Sequence, residues 1–277
     1  MTEYVAFDLE ISKQLEPNVI DILAHRPLGI SCAATITSES LSSDDVTLLW
    51  YSHSTADEIH DPQMSVDDCK KLADYLCNTQ CPIVGWNSLG FDLLVLADEC
   101  KSAEYTVKLA KLAYVHIDPY FQMVCEKGYG IGLETAAQGM HLKGKLKEVG
   151  GANAPAVWAE GRDSQDKVLE YVAQDARVTA SVYQAILDSG VLRWISRSGR
   201  PQVWPANFRD TGGDDMRMLT VGEAMELPRP DTSWMTNPRF REDYAAWMLD
   251  VLDTAPAGGE EPPPEWLDLP EQAEMEL

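Results

Sequence analysis

Three short, largely apolar stretches near the start of the chain are predicted to form β-strands. The candidates are residues 3–11, 29–37 and 46–52. In the first, YVAFDLEIS, Val5, Phe7 and Leu9 share one face, because strand side chains alternate between two faces. The other face carries two carboxylates, Asp8 and Glu10. A solvated edge strand holds such a pair easily, whereas a buried strand needs positive charge to compensate it.

Helical periodicity and capping residues predict most of the remaining elements. Helices are predicted after a cap at Ser65, within 91–100, after a cap at Asp118 with Pro119 first, over GLETAAQGM, and over 165–188. Short strands are predicted at 82–86 and near 113–117. Three early strands followed by alternating helix and strand indicate an α/β domain with a mixed sheet.

The sequence changes character beyond Gly190. LRWISRSGRPQVWPA predicts a hairpin that turns at 198–201, TSWMTNPRF is loop-like, and REDYAAWMLDVL predicts an amphipathic helix. One stripe of that helix holds Tyr244, Trp247, Met248 and Val251. The expected division is a domain over 1–190, a small C-terminal hairpin-and-helix extension over 191–252, and an acidic disordered tail over 253–277.

Charge and cysteine content narrow the possible partners. The 277 residues carry a net charge of −23, of which eight units lie in 253–277, so the remaining 252 residues carry −15. This balance argues against a broad phosphate-binding surface, although a small site can grip a few phosphates through metal ions. Six scattered cysteines and no apolar run of membrane length or signal-peptide type suggest reduced thiols in a cytoplasmic protein that binds no membrane. The tail is expected to be solubilising, with binding of a protein partner as the alternative.

Two more acids lie in unusually apolar sequence. Asp92 follows a predicted strand at the opening of a helix, where it could instead complement the helix dipole. Asp175 lies on a line of valines and faces inward unless it marks the edge of the apolar stripe. Tyr171 precedes it by four residues and therefore shares its helix face, where it could also be a core aromatic.

A shared divalent-metal site explains all four carboxylates together. Mg²⁺ prefers oxygen ligands, and two ions about 3.5–4 Å apart can clamp a phosphoryl transfer. In such a transfer the protein mostly supplies geometry and charge. The lysines of LKGKLK, including Lys145, could contact the backbone of a bound strand or could be solvated loop charges.

The motif order FDLE, NSLGFD and YVAQD resembles that of the DEDD exonucleases of the ribonuclease H-like superfamily. Those proteins carry Asp-x-Glu on the first strand, an Asp after a later strand and an Asp on a late helix. Tyr171, with Glu170 where the histidine subclass has His, resembles the tyrosine subclass. WNSLGFDLLVL looks most like the proofreading exonuclease domain of family B DNA polymerases. The resemblance covers roughly residues 1–190 and suggests a free-standing relative.

The resemblance implies a fold and a role for individual residues. The fold is ribonuclease H-like, with a central mixed sheet flanked by helices. Asp8 would bridge two divalent ions, Mg²⁺ or Mn²⁺, with Glu10 and Asp175 on the first ion and Asp92 on the second. Tyr171 would orient the attacking water. The implied substrate-binding residues are Leu9, Asn87, Phe91 and Lys145, although Phe91 is equally suited to the core.

We therefore expect a metal-dependent 3′–5′ exonuclease that hydrolyses phosphodiester bonds at the 3′ end of single-stranded DNA or RNA by a two-metal-ion mechanism. The alternative is a catalytically weak or inactive module that kept the fold and binds nucleic acid or a partner. An unrelated acidic protein with chance motifs would not bring the four carboxylates together.

Overall fold

Strands and helices alternate along the part of the chain that the computed structural model describes, residues 3–16, 19–42, 47–53, 60–146, 149–210 and 216–254. The strands are β1 (Val5–Ile11), β2 (Ile30–Thr37), β3 (Thr47–Trp50), β4 (Ile83–Val84), β5 (Val191–Ile195), β6 (Pro201–Pro205), β7 (Phe208–Asp210) and β8 (Met216–Met218). The α-helices are α1 (Val66–Asn78), α2 (Asp92–Glu99), α3 (Ala103–Val115), α4 (Pro119–Lys127), α5 (Leu133–Gly139), α6 (Ala154–Trp158), α7 (Arg162–Ser189), α8 (Val221–Met225) and α9 (Arg241–Thr254).

The four N-terminal strands form one mixed sheet in the order β3-β2-β1-β4. β1 is central, since it pairs antiparallel with β2 and parallel with β4. Helices flank the sheet, so the predicted α/β fold with a central mixed sheet is confirmed.

Each face of β1 lies in a different part of the core. Val5, Phe7 and Leu9 pack in a cluster with apolar residues of α1, α2, α3 and α9. Tyr4 and Ala6 belong to a second cluster, which is built largely on α7. Because side chains alternate along a strand, residues 8 and 10 project towards the α7 side. The sheet therefore directs the two carboxylates of β1 at the longest helix.

Both capping predictions are confirmed. The Ser65 side chain accepts a hydrogen bond from the backbone N–H of Asp68 at the start of α1. Asp118 accepts one from the backbone N–H of Phe121, and Pro119 is the first residue of α4. The short helix over GLETAAQGM and the long helix over 165–188 are also present, as α5 and α7.

The predicted strand near 113–117 is wrong. Helix α3 continues through Val115, and Ile117 makes only an isolated parallel bridge with Val84. The buried residues of α3 follow a helical period, with Leu109, Ala110, Leu112 and Ala113 facing the core. A short apolar run does not by itself distinguish a strand from a buried helix end, and here the run belongs to a longer helix.

The region beyond Gly190 contains the predicted hairpin and amphipathic helix. β5 and β6 pair antiparallel around a turn in which Gly199 has φ +78°. In α9, Met248 is buried and the other members of its predicted apolar stripe are partly buried. In this region the sequence did not predict α8 or the β7–β8 hairpin, and before it the sequence did not predict the short helix α6.

The predicted tail begins too early at 253, because Asp253 and Thr254 are the last two residues of α9. Residues 255–277 lie outside the described part of the chain. Among the described helices, none has both the length and the apolar character needed to cross a bilayer.

Candidate metal centre and active site

Three carboxylates from two elements meet between the sheet and α7. Asp8 and Glu10 come from β1, and Asp175 comes from the middle of α7. One carboxylate oxygen from each lies within 4.8 Å of the other two. Glu10 and Asp175 are buried, with Asp175 only 1% exposed, whereas Asp8 keeps some contact with solvent. The inward orientation of Asp175 follows from its place on the apolar face of α7.

Asp92 approaches strand β1 from helix α2. It is the first residue of α2, is buried, and its Oδ1 accepts a hydrogen bond of 3.3 Å from the backbone N–H of Leu9. Leu9 lies between Asp8 and Glu10 in the chain, so the Asp92 carboxylate adjoins the three-carboxylate group without belonging to it. The Leu9 side chain is not brought to the site, because it packs in the core on the other face of β1. Only its backbone can contact a ligand.

Lys145 supplies the positive charge that the buried strand requires. Its Nζ lies 2.6 Å from Oδ2 of Asp175 and forms a salt bridge with it. The same amine lies 5.7 Å from the centre of the Tyr171 ring, within the range of a cation–π contact. The sequence placed Lys145 either on a nucleic-acid backbone or in solvent, and the structure places it among the carboxylates.

The loop that carries Lys145 is fixed by two polar side chains. The backbone N–H of Lys145 donates to Oε2 of Glu134, on α5, at 2.7 Å. Nε2 of Gln174, on α7, donates to the backbone carbonyl of Gly144 at 3.0 Å. A Cβ at position 144 would lie 2.5 Å from Oε2 of Glu134, so glycine permits this close approach. These contacts aim the lysine at Asp175.

Tyr171 lies one helical turn before Asp175, as predicted, and its ring is buried. Its hydroxyl lies close enough to the Asp175 carboxyl group to lower the pKa of that group, against the larger effect of burial. Burial, followed by the charge of Asp175, raises the pKa of this hydroxyl, so it stays protonated and can donate a hydrogen bond near neutral pH.

Burial dominates the electrostatics of the site. It raises the pKa of Asp8 well above its usual range, and Asp175, Asp92 and Glu10 raise it further. Burial and the Asp175 charge raise the pKa of Glu10 to about 8. Burial raises the pKa of Asp92 to about 7 although two backbone N–H groups oppose this shift. The carboxylates therefore retain protons at a pH at which exposed acids are fully ionised.

The donor set fits a divalent cation. Oδ1 of Asp175 is buried and has no hydrogen-bond partner, although Oδ2 of the same group contacts Lys145. A buried charged acceptor left unpaired is costly, and a bound cation would pair it. Carboxylate oxygens are the ligands that Mg²⁺ and Mn²⁺ prefer. Asp8, Glu10 and Asp175 could therefore hold a metal ion.

The segment before Asp92 is organised by Asp118. Its two carboxylate oxygens accept hydrogen bonds from the backbone N–H groups of Asn87, Leu89 and Phe121. Asn87 has a positive φ of +63°, which is uncommon for a residue with a side chain, and its Oδ1 is buried without a partner. Asp118 was predicted only as a helix cap, so its part in holding this segment was missed.

The predicted site residues other than Leu9 fall into two groups. The structure brings together Asp8, Glu10, Asp175, Tyr171 and Lys145 around one point, with Asp92 adjoining them through the backbone of Leu9. Asn87 and Phe91 lie on the segment that leads into Asp92, and both are partly exposed. The contacts of Glu134, Gln174 and Asp118 with the backbone of other segments could not be read from the sequence, because they join residues that are distant along the chain.

Comparison with known proteins identifies the family. A family model described as the RNase H superfamily matches residues 40–187, slightly more than half of the chain. The match contains Asp92, Lys145, Tyr171 and Asp175 and starts after β1. No curated protein sequence matches this chain closely enough to be counted as a relative. The chain belongs to the RNase H superfamily.

Proposed function

We propose that this protein is a metal-dependent 3′–5′ exonuclease that acts on single-stranded DNA or RNA. The observation that carries the proposal is the convergence of Asp8, Glu10 and Asp175, one of whose buried oxygens has no partner. Membership in the RNase H superfamily fits a nucleic-acid-cleaving role. The motif order supports the tyrosine subclass of the DEDD exonucleases, and the segment around Asp92 supports a likeness to family B proofreading domains.

The carboxylates would act as ligands for two divalent ions, Mg²⁺ or Mn²⁺. Asp8 would bridge the two positions, Glu10 and Asp175 would serve the first, and Asp92 would serve the second. When bound, such ions lower the pKa of a coordinated water and stabilise charge on the phosphoryl and leaving oxygens. The protein's part is to hold these ligands rigidly on β1, α2 and α7.

Tyr171 would orient the attacking water through its hydroxyl, which is protonated because burial raises its pKa. Its place one helical turn before Asp175 keeps that hydroxyl near the carboxylates. Lys145, which neutralises Asp175 in this structure, would contact a scissile or neighbouring phosphate when the carboxylates carry metal. Asn87, Phe91 and the backbone of Leu9 would contact the terminal nucleotide.

A binding module that kept the fold is the second candidate, and Lys145 is the observation that favours it. The Lys145–Asp175 salt bridge supplies compensating charge without any metal ion. A chain that had lost catalysis would need such a substitute to keep its buried carboxylates. In this case a partner, including one bound through the acidic residues beyond α9, would replace the substrate as the protein's target.

The test is digestion of 5′-labelled DNA and RNA oligonucleotides with single-stranded and recessed 3′ ends. With Mn²⁺ or Mg²⁺ the wild type should shorten at least one of them stepwise, and EDTA should stop the reaction. Asp8→Ala should remove nearly all activity, whereas Asp98→Ala, which replaces a partly exposed acid at the far end of α2, should remain active. A wild type that leaves every 3′ end intact with either metal would favour the binding module.

A further inference from the structure

The C-terminal helix α9 supplies an aromatic side chain to the segment that precedes Asp92. A Cβ at Gly90 would lie 2.6 Å from Cδ1 of Tyr244 and 3.1 Å from Oδ1 of Asn87. The ring of Tyr244 and the unpaired oxygen of Asn87 therefore lie on the same side of Gly90. Gly90 is two residues before Asp92, which limits the distance between their Cα atoms to about 7.6 Å.

A second tyrosine joins Tyr244 from α4. The hydroxyl oxygens of Tyr120 and Tyr244 are 3.1 Å apart, and their ring centres are 5.8 Å apart with an interplanar angle of 60°. Both tyrosines and Phe91 are partly exposed, whereas neighbouring Phe121 is fully buried. Partly exposed aromatic faces beside a polar acceptor are a typical surface for nucleobases and sugars.

The position of Tyr244 is built into the fold. Nε1 of Trp247, one turn along α9, donates a 2.9 Å hydrogen bond to the backbone carbonyl of Leu89. The buried guanidinium of Arg241, at the first residue of α9, donates to backbone carbonyls that include those of Leu227 and Cys125. α9 is thus fastened to the segment that leads into Asp92 and to the region around α4 and α8.

Two features of this region remain unexplained by packing. Asn87 holds a left-handed backbone conformation, and its side-chain oxygen is buried without a partner beside the Tyr244 ring. Strained backbone and unpaired polar atoms persist where a ligand uses them. A hydroxyl or amino group of a nucleoside could donate to this oxygen while its ring contacts the tyrosines.

We infer that Tyr244 and Tyr120 form an aromatic wall that binds the sugar and base of the terminal nucleotide, so that the C-terminal extension is part of the substrate site. The inference rests on the proposed function, because that function places the phosphate of the same nucleotide at the carboxylates beside Asp92. Tyr120 lies within the residues that match the family and Tyr244 lies outside them, so the C-terminal extension supplies one of the two tyrosines.

The test compares Tyr244→Leu with Tyr244→Phe and with Tyr105→Leu. Tyr105 is the matched control, since it is a partly buried tyrosine whose hydroxyl contacts Asp74 on α1. One readout is KM and kcat for the single-stranded oligonucleotide that the wild type digests best. The other is the affinity for thymidine 5′-monophosphate and adenosine 5′-monophosphate with Mn²⁺, measured by calorimetry, which needs no turnover.

Tyr244→Leu should raise KM by about tenfold or more and weaken binding of a mononucleotide by a similar factor, because one stacking contact is lost. Tyr244→Phe should change both by less than about threefold, and Tyr105→Leu should leave both near the wild-type values. If the wild type digests no substrate but binds a mononucleotide through Tyr244, the exonuclease proposal fails and the wall stands. Two results would reject the wall. The first is that Tyr244→Leu matches Tyr105→Leu both in KM and in mononucleotide binding. The second is that the wild type binds no mononucleotide and Tyr244→Leu has no effect on KM.

Discussion

The Lys145 amine and the Asp175 carboxylate form a salt bridge of 2.6 Å in which the Asp175 side chain is only 2% exposed. The charges of Asp8 and Asp175 raise the pKa of Lys145 although burial opposes the shift. The Lys145 ammonium therefore supplies the positive charge that a bound metal ion would supply among carboxylates that would otherwise repel one another.

Replacing this lysine should destabilise the metal-free protein. We expect Lys145→Gln to lower the free energy of unfolding in EDTA by about 1–3 kcal/mol. The loss is smaller than for a fully buried pair, because Lys145 is partly exposed and the carboxylates can take up a proton. Urea denaturation measures it. Mn²⁺ should stabilise Lys145→Gln more than the wild type, because the metal no longer competes with the amine.

Lys143→Gln is the matched control, because it removes the same charge from an exposed side chain two residues away. It should change the free energy of unfolding by less than about 0.5 kcal/mol. Equal losses in the two variants would mean that Lys145 stabilises the protein only by reducing its net negative charge and not through the salt bridge to Asp175.

Replacing one crowded acid by its amide should have the opposite effect on stability. We expect Asp8→Asn to raise the free energy of unfolding in EDTA by about 1–2 kcal/mol. Burial and the neighbouring acids force Asp8 either to take up a proton on folding or to hold a crowded charge, and an amide bears neither cost. Asp175→Asn should gain less or lose stability, because it also breaks the salt bridge to Lys145. Mn²⁺ should raise the melting temperature of the wild type more than that of either variant.

Asp118→Asn makes the same chemical change in a buried acid whose oxygens are paired with backbone N–H groups. Each Asp118 oxygen accepts a backbone N–H, so an amide nitrogen there would meet a donor with a donor. This variant should lose about 1–3 kcal/mol. A loss of stability in Asp8→Asn as large as that in Asp118→Asn would argue against charge crowding at the candidate metal centre.

Removing the Tyr171 hydroxyl should slow the reaction without disturbing the metal ligands. We expect Tyr171→Phe to lower kcat about 10–10³-fold, the range for loss of one positioning hydrogen bond. The Mn²⁺ affinity should stay within about threefold of the wild type, as measured by calorimetry. A fully active Tyr171→Phe would reduce Tyr171 to a core aromatic.

The sequence predicted the elements that carry the candidate site because their patterns are local. β1 is an apolar strand interrupted only by Asp8 and Glu10, α7 keeps a helical apolar stripe over its length, and the caps at Ser65 and Asp118 mark helix starts. In a sheet with β1 at its centre, such elements place Asp8 and Glu10 opposite the inward face of α7. The position of Asp175 on that face then follows from periodicity alone.

The counter-charge and the C-terminal contacts could not be predicted because they depend on long-range packing. Lys145 lies 30 residues before Asp175, in a loop whose path is set by Glu134 and Gln174. Tyr120 and Tyr244 meet across 124 residues of sequence. The missed helix α3 has a different cause, since its apolar end was mistaken for a strand.

The stability of the metal-free protein should fall as the pH rises from 6.5 to 8. Burial raises the pKa of Glu10 to about 8 and that of Asp92 to about 7, whereas in the unfolded chain both acids are ionised above pH 6. The folded state therefore binds more protons than the unfolded state in this range, and the free energy of unfolding decreases with pH. The contribution of the protonated Glu10 and Asp92 to the free energy of unfolding is fully present below the pKa values of the unfolded chain. It is lost as the pH rises through the pKa values of the folded protein.

Glu10→Gln isolates this effect, because His116 and the buried thiols titrate in both proteins alike. In EDTA the wild type should lose roughly 1–2 kcal/mol more than Glu10→Gln between pH 6.5 and 8, as measured by urea denaturation at each pH. With saturating Mn²⁺ the trend should weaken or reverse, because the ion binds the deprotonated carboxylates and so stabilises the folded state more at higher pH. Parallel stability curves for the two proteins in EDTA would show that Glu10 is ionised throughout this range, and the carboxylates would then be less crowded than their positions on β1 and α7 require.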